Sequence, residues 1–417
     1  MCILFILVEI IISYIFRIFF SVESIDGIVI TLINLSVICI FVSSSRKLSK
    51  TQKILLLLGS VIRMILIIIG RFKSLPYSTG DVQGFHYVAT RVASDFSLLS
   101  EKLYCSPYTK IMGIIYYFVG VNSMYMQNIN AILGIASVFN VMTISNKFKV
   151  KESVLLETIL VFLPQSILLT TSLLRESFII YFITISLKMC IDYIRNGKKS
   201  SLAYMFITVM IAASFHSGVL FLIIGYLFVI SFYDINLQKH KLTTKKIILS
   251  SCLIVILILV YNRFGNVIGS RFNNIEVENI SEKFGKNNGG SAYLTGVNTG
   301  GVKGLVLYFI PKTFYFLFSP VPWNWRNVLD VITFFTDSAV YIYLVYCIIK
   351  YNKKMNENNR FIVNSIMLGV VLTIIVYALG TGNSGTAIRH RHKILGFLVF
   401  ICAASKTLTK DTLKNDN

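Results

Sequence analysis

The sequence predicts an all-α, polytopic integral membrane protein with about 12 transmembrane helices, and three observations carry that expectation. Of the 417 residues, 55% are hydrophobic and only 14% are charged, where a water-soluble chain has about a quarter charged. The mean hydropathy is +0.71. Apolar stretches of bilayer length recur along the chain, and the basic residues stand in short clusters between them. The 40 Lys and Arg against 19 Asp and Glu leave a formal charge of +21, but no basic helix or arm could track a phosphate backbone. Composition therefore excludes a soluble enzyme, a nucleic-acid binder and a disordered chain.

Taken in order, the apolar stretches are 3–20, 28–42, 53–70, 126–145, 153–172, 176–194, 201–214, 217–232, 246–264, 328–350, 361–379 and 393–407. Each approaches the length that a helix needs to cross hydrocarbon at about 1.5 Å per residue. The first has neither a cationic leading region nor a small-residue cleavage site, so it reads as a span and not a removed signal. The stretches 28–42, 201–214 and 217–232 are short, and the last two could form one kinked hairpin. The chain is expected to be a single polytopic membrane domain, 1–417, with no repeat of halves and no appended soluble domain.

Every second connection is basic: Arg46, Lys47, Lys50 and Lys53; Lys147, Lys149 and Lys151; Arg195, Lys198 and Lys199; Lys239, Lys241, Lys245 and Lys246; Lys350, Lys353, Lys354 and Arg360. The inside-positive bias then puts both termini in the cytoplasm. The alternate connections face outward, and two are long, at 71–125 and 265–327. Each contains an apolar segment, 107–121 and 304–318, that cannot span without breaking the alternation. Both read as interfacial or re-entrant helices. Of seven cysteines only Cys105 is exterior, so no disulfide framework is expected.

Unusual polar residues gather on the exterior side: His86, His216, His390 and His392, with Arg175, Arg389, Arg391 and Asp81. Arg175 and Glu176 occupy a tight turn before a span, where an arginine beside a helix N-terminus suits a phosphate or simply caps the helix in an ion pair. His216, in the break SFHSG, is either a proton acceptor or a structural histidine for unwound carbonyls. Arg389, His390, Arg391, His392 and Lys393 follow a Gly-rich turn, against the charge bias; they fit an anionic group at the outer leaflet, or lipid headgroups alone. Asp81 is placed to accept a proton from a hydroxyl, or to N-cap a helix beginning near Val82. Trp323 and Trp325, beside Arg326, are interfacial anchors first and a sugar platform second. Asp330 and Asp337 share a helix face, but no metal site is expected.

Several short motifs together carry a resemblance: the R-E turn (Arg175, Glu176), the A-x-x-x-H-S-G break (Ala212 to Gly218), the G-S-A-Y-L loop, P-x-P-W (Pro320 to Trp323) and G-N-x-G-x-x-I-R-H-R (Gly382 to Arg391). Spread over residues 70 to 395, they make the chain resemble the Wzy-type O-antigen and capsule polymerases and the related EpsG-like proteins. That resemblance implies a GT-C-like membrane glycosyltransferase, without metal or cofactor, in the bacterial cytoplasmic (inner) membrane. It implies transfer of a growing glycan from undecaprenyl pyrophosphate to the nonreducing-end sugar of a lipid-linked repeat unit, on the exterior face. On this reading Arg175, Arg389 and Arg391 hold the pyrophosphate. Asp81 is the base, with His216 and His390 as rivals, and Trp323, Trp325, Arg326 and Tyr293 contact sugar. The implied partners are the undecaprenyl-pyrophosphate-linked oligosaccharide, membrane lipid, a chain-length regulator and a flippase. A lipid-linked oligosaccharide flippase and a polyprenyl-phosphate-dependent transferase or ligase are the alternatives.

Overall fold

A computed structural model of the chain describes residues 2–19, 23–100, 106–150, 153–234, 239–240, 289–295 and 301–408, together with 244, 248 and 251. Seven helices, counted among the described residues, are long and apolar enough to cross a membrane: Asp26–Ser44, Lys50–Phe72, Ser123–Lys147, Val154–Thr171, Glu176–Asn196, Val328–Asn352 and Glu357–Leu379. The protein is an all-α membrane protein. Three further apolar helices are shorter, Ser200–Phe215, Ser217–Phe232 and Val306–Phe318. The expected stretch 246–264 lies almost wholly outside the described residues, as does most of the expected exterior loop 265–327 before residue 289. The chain divides into two compact units, Met1–Thr143 with Glu157–Tyr181, and Ile144–Leu156 with Phe182–Asn417.

The first unit contains α1 (Cys2–Phe19), α2 (Glu23–Ser44), α3 (Lys50–Phe72), α4 (Asp81–Ser94), α5 (Pro107–Val119) and most of α6 (Ser123–Lys147). Ser49 starts α3 with a capping box: its hydroxyl accepts from the Gln52 amide at 3.1 Å, and the Gln52 side chain accepts from the Ser49 amide at 3.1 Å. The expected span 153–172 is a broken helix, α7 (Val154–Phe162) and α8 (Pro164–Thr171). Pro164 has no N–H to donate to the preceding turn, so the helix stops and restarts there. Arg63, fully buried on α3, serves this break: Nη1 donates to the Val161 carbonyl at 3.2 Å and Nε donates to the Thr170 hydroxyl at 3.1 Å. A cation against the last carbonyls of α7 offsets their partial negative charge.

The long connection 71–125 holds two helices, α4 and α5, packed as a hairpin. A Cβ at Gly113 would meet Val92 at 2.5 Å, so glycine there permits the close approach of the pair.

The second unit contains α9 (Glu176–Asn196) from Phe182 onward, α10 (Ser200–Phe215), α11 (Leu222–Phe232), α12 (Gly301–Phe318), α13 (Val328–Asn352), α14 (Glu357–Leu379), α15 (Ser384–Arg391) and α16 (Leu395–Thr407). After α11 the chain forms a short antiparallel pair, β1 (Tyr233–Asp234) and β2 (Lys239–His240), with Tyr233 opposite His240. A π turn, Phe334–Ser338, interrupts α13, and a 3₁₀ turn, His392–Ile394, joins α15 to α16. The helices α11 and α14 cross with backbones touching: a Cβ at Gly225 would collide with the Ser365 carbonyl oxygen, and one at Gly369 would lie 2.9 Å from that of Leu222. Contacts of α12 with α14 and α15, and of α13 with α16, complete the frame that carries the basic segment.

Candidate functional site

The basic segment of the second unit is built on a turn. Asn383 caps α15, its side chain accepting from the Thr386 amide at 2.9 Å. Against this turn lies the G-S-A-Y-L segment. Ala292 bridges Asn383 in antiparallel fashion, the Tyr293 amide donates to the Gly382 carbonyl at 3.1 Å, and the Ser384 amide donates to the Ser291 carbonyl at 2.9 Å. Two motifs far apart in the sequence therefore form one element, a pairing that backbone donors and acceptors require of any buried irregular loop. Tyr293 completes it: its hydroxyl donates to the Thr381 carbonyl at 2.9 Å and its ring stacks on Tyr315 at 5.0 Å. Tyr293 is 1% exposed, and burial raises its phenol pKa above the ordinary value. Tyr293, where the sequence suggested a sugar contact, packs and hydrogen-bonds with its ring buried.

Arg326 is likewise engaged. Nε donates to Asp330 Oδ2 at 2.8 Å, Nη2 to Asp330 Oδ1 at 2.7 Å, and Nη1 to the Gly290 carbonyl. This bidentate pair ties the docked segment to the first turn of α13, and the hydrogen bonds to the Asp330 carboxylate raise the Arg326 pKa. Trp323 is exposed, donates from Nε1 to the Tyr315 hydroxyl at 3.1 Å and stacks on Phe314 at 6.1 Å. Trp325 packs edge-on against Phe334 at 5.6 Å. Of the four residues expected to meet sugar, Trp323 offers the open ring.

Arg391 departs furthest from expectation. Its guanidinium is fully buried and pairs through Nε (2.9 Å) and Nη2 with Asp337, while Nη1 donates to the carbonyls of Leu317 at 3.0 Å and Ser319 at 2.7 Å. His392 joins the same carboxylate, Nε2 to Oδ1 at 2.8 Å. Arg391, where the sequence suggested a pyrophosphate ligand, closes the C-terminal end of α12 and neutralises a carboxylate on the π turn. Lys312 does similar work for α14, donating to the Leu379 carbonyl at 3.2 Å.

With these two cations turned to helix ends, Arg389 and His390 are the partly exposed members of the basic run. His390 packs against His216 at 4.7 Å between ring centroids, and both meet Tyr377, at 5.2 Å and 4.8 Å. Thr381 Oγ1 lies 3.4 Å from His390 Nδ1. Lys393 Nζ stands 5.1 Å from the centroid of the same Tyr377 ring. Gly218 lets the break approach this ring, because a Cβ there would collide with Tyr377 Cε1. The structure therefore brings His216 and His390 together across the α10–α11 break and α15. Two neighbouring imidazoles, with Lys393 over the Tyr377 ring that both meet and Arg389 preceding His390 in the chain, can relay or accept a proton next to bound negative charge.

The other expected residues belong to the first unit. Asp81 is the exposed first residue of α4, with Gly80 at the cap position (φ 66°), so the carboxylate itself is not the N-cap. Arg175 and Glu176 stand at the start of α9, in a turn shaped by Asn130, whose Nδ2 donates to the carbonyls of Ser172 at 2.6 Å and Leu174 at 3.0 Å. In the α4–α5 hairpin, His86 Nδ1 lies 2.9 Å from the Tyr116 hydroxyl, and burial lowers the His86 pKa.

Sequence reading missed the roles of Asp337, Lys312 and Tyr377. Asp337 did carry a signal, an acid in an apolar span, and such a residue needs a partner. Among the described residues no three His, Cys, Asp or Glu side chains group to hold a metal ion. No protein-family model, curated protein or solved structure matches the chain.

Proposed function

We propose that the protein is a membrane glycosyltransferase that polymerises a surface polysaccharide from repeat units carried on a polyprenyl pyrophosphate. The observation that carries this reading is the division of labour along α15 and the turn after it: Arg391 and His392 are buried on Asp337, while Arg389 and His390 stay partly exposed, with the His390 ring against His216. A firmly held helix with a partly exposed arginine is suited to a leaving pyrophosphate, whose charge grows as the bond to the sugar breaks. In the proposed step the acceptor hydroxyl oxygen forms a bond to the anomeric carbon of the growing chain. The anomeric carbon–oxygen bond to pyrophosphate breaks, and the hydroxyl proton passes to His390 or His216. Arg389 stabilises the departing oxygens, and Trp323 gives a sugar ring an exposed indole to lie against.

The reading includes a bacterial inner membrane, both termini in the cytoplasm and the site at the outer face, following the basic-loop pattern. The protein reconstituted in lipid with a synthetic polyprenyl-pyrophosphate repeat unit, and no nucleotide sugar, should give a ladder of chain lengths on a gel. Unchanged repeat units would sink the proposal, and movement of intact units across the bilayer would favour a flippase instead.

A further inference from the structure

We propose that the C-terminal end of α13 carries a binding site for the phosphate of an anionic lipid headgroup, independent of the glycosyltransferase reading. Three lysines from two stretches of the chain, Lys350 and Lys354 at the end of α13 and Lys406 on α16, converge on one ring there. The Nζ atoms of Lys350, Lys354 and Lys406 lie 5.6, 5.7 and 6.0 Å from the centroid of Tyr351. Lys350 also stands 5.3 Å over Tyr346 and donates to its hydroxyl at 3.1 Å, while Lys406 stands 5.7 Å over Tyr343 and donates to that hydroxyl at 3.2 Å.

The cluster is built and not a chance of flexible tails. The turn after α13 is fastened by the Lys354 amide to the Tyr351 carbonyl at 3.0 Å, and by the Asn356 amide to the Leu408 carbonyl at 3.2 Å. Asn352 Nδ2 donates to Asn364 Oδ1 at 2.7 Å, and Met355 beneath the turn is buried. Lys350 and Lys354 stand four apart, an unfavourable spacing for like charges, and Lys406 adds a third cation to the same ring. Among the described residues, Lys350, Lys353, Lys354 and Lys406 form no ion pair with a carboxylate. The tyrosine faces relieve part of this repulsion, and each ammonium keeps further N–H donors for an anion.

The anion is identified by position. The cluster ends a 25-residue span, at headgroup depth, and the exposed side chains of Tyr346 and Ile349 adjoin it on the same helix. A phosphodiester whose acyl chains lie along α13 while its phosphate meets the lysines satisfies both features. Soluble phosphate would meet the same ammonium groups, so the test separates the two sources.

The full chain, purified in neutral detergent, is titrated with phosphatidylglycerol, phosphatidylcholine or sn-glycerol 3-phosphate, and bound lipid is read by native mass spectrometry beside the unfolding temperature. Phosphatidylglycerol is expected to bind and to raise the unfolding temperature above that in phosphatidylcholine. The triple variant Lys350→Gln/Lys354→Gln/Lys406→Gln should weaken it about tenfold. The variant Lys198→Gln/Lys199→Gln, at two exposed positions, should leave binding unchanged. Should the triple variant not fold, Lys354→Gln alone is read in the same way, with about a threefold loss expected. Equal binding of the two lipids, or equal losses in the test and control variants, overturns the site; stabilisation by glycerol phosphate equal to that by the lipid overturns the lipid assignment.

Discussion

Arg391 and Arg389 are two residues apart on one short helix and have opposite fates, because the first finds a carboxylate and helix-terminal carbonyls in the interior and the second stands on the partly exposed side. Removing Arg391 leaves Asp337 buried with His392 as its remaining side-chain hydrogen-bond partner. Arg391→Met should therefore destabilise the protein by about 3–5 kcal/mol, measured by thermal unfolding in detergent. The double variant Arg391→Met/Asp337→Leu should recover much of that loss, since an apolar pair of similar volume removes the uncompensated charge. Arg389→Gln should cost less stability than Arg391→Met in the same measurement and, on the proposed polymerase reading, should abolish the ladder of chain lengths. Full ladders from Arg389→Gln would remove it from the site.

Helices in this protein meet by two devices, and each can be tested alone. The first is close approach: α11 and α14 touch through Gly225 and Gly369, so Gly225→Val must separate the backbones. A loss of at least about 2 kcal/mol is expected in thermal unfolding, because the obstacle is the backbone carbonyl of Ser365, which no side-chain rotation can move aside. The second device is a cation at a helix end. Arg63 holds the break between α7 and α8 through the Val161 carbonyl and the Thr170 hydroxyl. Arg63→Met should cost about 1–3 kcal/mol in the same measurement, the loss expected when a buried acceptor goes unmet. The α4–α5 hairpin adds a pH dependence. Burial lowers the His86 pKa, so the folded state favours the neutral ring and the unfolded chain binds the extra proton. That contribution is fully present above the ordinary histidine value of about 6.5 and is lost as pH falls from there through the lowered folded value. Between about pH 8 and about pH 5 the unfolding temperature should therefore drop by less in His86→Gln than in the parent. Identical slopes would discard the assignment.

At the scale of the whole chain, the sequence determined the class of molecule: apolar runs too long and too frequent for a water-soluble core read as helices in lipid, because each helix satisfies its own backbone there. The helix bounds followed closely where the runs were long, as at Ser123–Lys147 and Glu357–Leu379, since length and hydropathy are local properties. The break at Pro164 was equally local, yet a run of apolar residues hid it. Which polar residues cluster was legible only in part. His216 and His390 were singled out separately, and nothing in their separation along the chain foretold that their rings would lie 4.7 Å apart. Only the tertiary structure decided that Arg391 turns inward to Asp337 while Arg389 stays partly exposed, and that Tyr293 is buried against the turn at Gly382. Hydropathy and charge order a chain along the membrane normal, whereas the partner of a buried charge is set by packing between helices distant in sequence, where desolvation makes any unpaired group costly.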